Sequence, residues 1–79
     1  MQLTETQQEI LYNAWALSLD GKGMVLEDWA YVDVHPLAEQ GWLERRFEPD
    51  GEMSWWWTAA AETALDLNAL RRNAPADMN

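Results

Sequence analysis

Gly41-Trp42-Leu43-Glu44-Arg45-Arg46-Phe47-Glu48-Pro49-Asp50-Gly51-Glu52-Met53-Ser54-Trp55-Trp56-Trp57-Thr58 reads as a β-hairpin, and the rest of the chain is arranged around it. Pro49 presets φ for the first corner of a type I turn, Asp50 suits the second, and Gly51 can take the left-handed conformation that closes a short loop with a bulge. The loop sets the register. With Glu48 opposite Glu52, Phe47 faces Met53, Arg45 faces Trp55 and Leu43 faces Trp57, because side chains alternate between faces with period two. One face is then largely apolar. The other carries Trp42, Glu44, Arg46, Ser54 and Trp56, a mixed surface with two large aromatics.

Working back to the N-terminus, Thr4 with Gln7 three residues on predicts a capping box, with Thr6 and Glu9 as the rival start. Ile10, Leu11, Ala14 and Trp15 recur at helical spacing and form the stripe that this first helix buries. Asp20-Gly21-Lys22-Gly23 stops it. Met24-Val25-Leu26 suits a short strand that adds to the hairpin as a third strand. Glu27-Asp28 then opens a short helix with Trp29 and Val32 inward, which is expected to break between Asp33 and Pro36, since the residue before a proline avoids the helical region. A second short helix starts at Pro36, buries Leu37 and ends at Gly41. Beyond the hairpin, Thr58 caps a last helix from Ala59 to about Arg72, with Ala61, Ala64, Leu65, Asn68 and Ala69 along one side. Residues 1–73 are expected to form a single domain and 74–79 a flexible C-terminal tail.

The chain has 79 residues, 48% of them hydrophobic, with 14 acidic and 5 basic side chains and a net charge of −9. A chain this apolar is not expected to be disordered. It contains no cysteine, which excludes disulfides, thiolate catalysis and thiolate metal sites and suits a reducing cytoplasm. Neither a secretory leader nor a run of about 20 apolar residues is visible, so a soluble protein without membrane contact is expected.

Helix, short strand, helix-turn-helix, two-stranded wing and closing helix is the order of the winged helix-turn-helix superfamily. Leu37-Ala38-Glu39-Gln40-Gly41-Trp42-Leu43-Glu44-Arg45 resembles that family's passage from recognition helix to wing, and Trp55-Trp56-Trp57-Thr58 resembles the return strand with its capping threonine. The resemblance covers about residues 4 to 70. It implies an α+β domain, winged-helix-like, with three to four helices, a short strand and a hairpin wing, and it implies DNA binding through the second helix of the pair. That helix reads the major groove with arginine, lysine, asparagine or glutamine in DNA-binding members. Here it offers His35, Glu39 and Gln40.

Electrostatics oppose DNA binding. Residues 1–40 hold the acids Glu5, Glu9, Asp20, Glu27, Asp28, Asp33 and Glu39 against the single base Lys22, whereas each phosphate contact needs a cation. Arg45 is expected to lie over Trp55 and Arg46 to balance Glu44 and Glu48. No catalytic constellation is present: His35 is the single histidine, and Asp33, His35 and Glu39 are at most a conceivable metal site. No cofactor and no enzymatic activity are expected. Trp15, Trp29 and Trp57 read as core, while Trp42 and Trp56 read either as core or as an interface patch. The acidic surface reads either as a solubilising shell or as mimicry of a nucleic acid. In size and acidity the chain is similar to small phage-encoded DNA-mimic inhibitors such as anti-CRISPR proteins. The expected function is therefore an acidic protein-binding module that inhibits a nucleic-acid-handling protein, such as a CRISPR effector, by occupying its basic surface, in the cytoplasm, that of the host cell if the chain is phage-encoded. Its partner-binding residues would be Glu27, Asp28, Asp33, Glu39, Trp42 and Trp56, and it would act as a monomer or small homo-oligomer. A winged-helix transcription regulator and a structural or adaptor protein of a phage are the alternatives.

Overall fold

The computed structural model describes residues 2–25 and 31–72. Helix α1 (Glu5–Leu19) starts at the predicted capping box: Gln7 N–H donates to Thr4 Oγ1 at 3.1 Å, and Thr4 N–H donates to Gln7 Oε1 at 3.0 Å. Ile10, Leu11 and Ala14 are buried as expected, Trp15 is half-buried, and Tyr12 joins the buried set. Paired bonds from Gly21 N–H to Ser18 O and from Lys22 N–H to Leu17 O end the helix. Strand β1 (Met24–Val25) follows, antiparallel to the last hairpin strand, with Met24 opposite Trp55.

Helix α2 (Tyr31–Glu39) corrects the expected break between Asp33 and Pro36: the helix runs through Pro36 rather than starting there. Proline removes the bond its own N–H would make to the Val32 carbonyl, and Val32 is 73% exposed, where water can reach that carbonyl. The same exposure corrects the inward placement of Val32. Leu37 is buried as expected, and Val34, not Val32, is its buried companion. Trp29, its expected companion, lies outside the described residues, as do Leu26, Glu27 and Asp28 and the tail 74–79. Gly41, at φ 80°, ends α2 with the two bonds of a Schellman motif, Gly41 N–H to Ala38 O at 3.0 Å and Trp42 N–H to Leu37 O at 3.1 Å.

The hairpin strands β2 (Leu43–Phe47) and β3 (Met53–Trp57) pair in the predicted register, Leu43 with Trp57, Arg45 with Trp55 and Phe47 with Met53. Gly51 takes φ 88° and donates to Glu48 O at 2.8 Å, while Glu48 N–H donates to Glu52 O at 2.7 Å. The sheet order is β1-β3-β2, so β3 is central and β2 is an edge.

The expected single closing helix is instead two, α3 (Ala59–Ala64) and α4 (Leu67–Arg72). Asp66 competes with the helix: its Oδ1 accepts from Asn68 N–H at 3.0 Å, and Leu65 is extended at φ −108°, ψ 144°. The break rotates the expected stripe. Ala61 remains buried, Ala64 and Asn68 are exposed, and Leu70 becomes the buried residue of α4. Among the described residues the result is a small α+β domain of four helices and a three-stranded antiparallel sheet. Its core joins Ile10, Leu11 and Ala14 of α1 to Val34, Leu37, Leu43, Trp55 and Leu70.

Candidate protein-binding surface

Helix α2 and the hairpin enclose a cleft of about 320 Å³ lined by Tyr31, His35, Ala38, Glu39, Leu43, Arg45 and Trp55. Leu37 anchors α2 in the core, which turns the opposite side, Tyr31, Val32, His35 and Glu39, toward solvent. One turn of helix separates Tyr31, His35 and Glu39, so the three stack. The rings of Tyr31 and His35 lie 5.4 Å apart at 21°, and His35 Nε2 is 2.9 Å from Glu39 Oε1. The floor is apolar. Trp55 is 1% exposed, its ring 6.1 Å from that of Tyr31, and its indole N–H has no acceptor among the described residues.

The expected partner-binding residues fall into separate places. Glu39 is exposed on the cleft wall; Asp33 is half-buried, with its carbonyl accepting from Gln7 Nε2 at 3.2 Å. Trp42 is half-buried and packs against the core. Trp56 is half-buried on the far face of the sheet, where its Nε1 donates to Ser54 Oγ at 2.9 Å and the Arg46 guanidinium lies 4.4 Å from its ring centre. Glu27 and Asp28 lie outside the described residues. Among the described residues no three metal-ligating side chains come together, so Asp33, His35 and Glu39 do not form a cluster.

The two arginines correct one expectation. Arg45 lies over Phe47, 5.6 Å from its ring centre, rather than over Trp55, which is 1% exposed on the central strand while Phe47 stands 70% exposed. Arg46 pairs with Glu44 at 2.7 Å as expected, but Glu48 accepts from Ser54 Oγ instead. Val32, expected inward, is a surface residue, and Phe47, opposite Met53 on the hairpin's apolar face as expected, stands 70% exposed there. No helix among the described residues is long and apolar enough to cross a membrane. Compared with known protein families, curated proteins and solved structures, the chain matches none of them.

Proposed function

We propose that the chain is a winged-helix-like, acidic protein-binding module without enzymatic activity, which inhibits a nucleic-acid-handling protein by occupying its basic surface. The observation that carries this reading is the solvent side of α2. Where a DNA-reading domain needs cations, Tyr31–Glu39 contains no lysine or arginine and exposes Tyr31, Val32, His35 and Glu39. Among the described residues the first helix, the short strand and the hairpin follow the order of that resemblance, while α2 is one helix where the helix-turn-helix has two. Arg46, on the wing, is engaged by Glu44 and Trp56 rather than presented alone. A net charge of −9 on so small a body attracts a basic surface at long range and repels a duplex.

The test is capture from cell lysate on the immobilised protein, eluted by salt and, separately, by duplex DNA. A nucleic-acid-binding protein displaced by both is the expected result. The variant Glu27→Lys/Asp28→Lys/Asp33→Lys/Glu39→Lys shifts the net charge by two units per site, from −9 to −1, and should lose that partner while remaining folded. Capture unchanged in the folded variant would reduce these four charges to a solubilising role. Salt-sensitive binding of duplex DNA by the protein itself, below the micromolar range, would restore the transcription-regulator reading.

A further inference from the structure

Strand β2 is an edge, and its sequence is complementary to itself when read antiparallel. Glu48 and Glu52 form a hydrogen-bonded pair, and such pairs alternate along an antiparallel ladder, so Glu44 and Arg46 bond to β3 while Leu43, Arg45 and Phe47 turn their N–H and C=O groups toward the open edge. Among the described residues no strand lies beyond β2, and Glu44 to Phe47 are exposed. We infer that this edge pairs with the same edge of a second copy, antiparallel and centred on Arg45, joining the two sheets into one.

Charge selects the register. Centred on Arg45, Glu44 of each copy lies opposite Arg46 of the other, and the present Glu44–Arg46 pair at 2.7 Å opens into an alternating square of charges. Shifted by one residue, Arg46 would oppose Arg46 and Glu44 would oppose Glu48; in a parallel pair Glu44 would approach Glu44. Both are repulsive. The chosen register lets the Arg45 residues of the two copies exchange both backbone bonds. It also brings Phe47, 70% exposed in the single chain, beside position 43 of the other copy, at the rim of that copy's core, where Leu43 itself is 3% exposed. Its one unfavourable contact is Arg45 against Arg45, and Glu39, which lines the same cleft as Arg45, is the carboxylate placed to offset it. Edge charges normally guard against such pairing; here their alternating sign favours it.

Sedimentation equilibrium of the full chain at about 0.15 M salt, where charges beyond about 8 Å are screened, tests the inference. The expected result is a concentration-dependent dimer that Arg46→Glu and Glu44→Arg each weaken by about tenfold or more, and that Glu44→Arg/Arg46→Glu restores. Restoration by the double exchange separates lost pairing from lost folding. On the unaltered protein, hydrogen exchange at the Arg45 and Phe47 amides should slow as concentration rises, with Glu44 and Arg46 unchanged. A monomer at every concentration, a dimer indifferent to both single changes, or exchange at Arg45 independent of concentration would each overturn it.

Discussion

Gly23→Ala should be among the most damaging single-methyl additions to this chain. A Cβ at Gly23 would lie 2.8 Å from Trp56 Cε2 and 2.9 Å from Ser54 Cβ, and closer still to Trp56 Nε1. Carbon atoms pack best at about 3.5–4.0 Å, so the overlap is on the order of 0.7 Å against two partners. Neither partner moves easily. Trp56 Nε1 is held by Ser54 Oγ at 2.9 Å and its ring is covered by Arg46, while Ser54, 2% exposed, also donates to Glu48 Oε1 at 2.7 Å. Overpacking costs about 1–3 kcal/mol, and losing the indole bond adds about 1 kcal/mol. At about 4–8 °C per kcal/mol for a domain of this size, the melting temperature should fall by about 10 °C or more. Thermal unfolding followed by tryptophan fluorescence measures it, and the same change in a Trp56→Leu background should cost less, because only the overlap with Ser54 Cβ then remains. A melting temperature within about 2 °C of the parent, or an equal loss in both backgrounds, would refute the argument.

Gly51 sits at φ 88° with open space around it, so its cost is conformational and not steric: Gly51→Val should lose more than about 1 kcal/mol in urea unfolding and Gly51→Asn less. Thr58→Ala removes both the cap on Ala61 N–H at 3.1 Å and the bond to the Gly41 carbonyl at 2.6 Å, and should cost about 1–2 kcal/mol, with Thr58→Ser retaining most of it. Gln7, 6% exposed, completes the cap box and ties α1 to the Asp33 carbonyl, so Gln7→Ala should destabilise more than Thr4→Ala in the same assay.

The hairpin was legible because its turn chemistry and its period-two pattern agree: Pro49-Asp50-Gly51 permits one loop, and that loop permits one register. The cap box and the C-terminal glycine of α2 were legible for the same reason, being local motifs that complete their own hydrogen bonds. Pro36 misled because its missing N–H was read as a start signal, whereas the core packing of Val34 and Leu37 holds the helix through it. Asp66 misled in the other direction, since an aspartate between Leu65 and Leu67 looks helical until its side chain caps a new turn. The surface was the least legible part. The hairpin's alternation put Trp42, Arg46, Ser54 and Trp56 on one face, but which tryptophan packs on the core and which is tethered by Ser54 and Arg46 was left open by alternation alone. The cleft joins α2 to β2 across a turn; the spacing of His35 and Glu39 and the facing of Arg45 and Trp55 were visible along the chain, and the place of Tyr31 against them was not.

The two proposed interactions should respond to salt in opposite directions, which gives a way to tell them apart. Capture of a basic partner draws on the whole charge of −9, acting across distances comparable to the screening length of about 8 Å, and must weaken as salt is added. Self-pairing at β2 brings two such bodies together, so the same long-range term opposes it. What holds the pair is short: backbone bonds at Arg45, Phe47 at the rim of the other copy's core, and Glu44 against Arg46 at contact distance, all well inside the screening length. Raising salt from about 0.05 to 0.3 M therefore removes more repulsion than attraction for the dimer, and removes mainly attraction for the heterologous complex. The dimer constant should rise over that range while partner retention falls. If both fall together, the charged square is carrying the dimer on its own and the apolar and backbone contacts assigned to the edge are not formed; if both rise, the acidic surface is not what holds the partner.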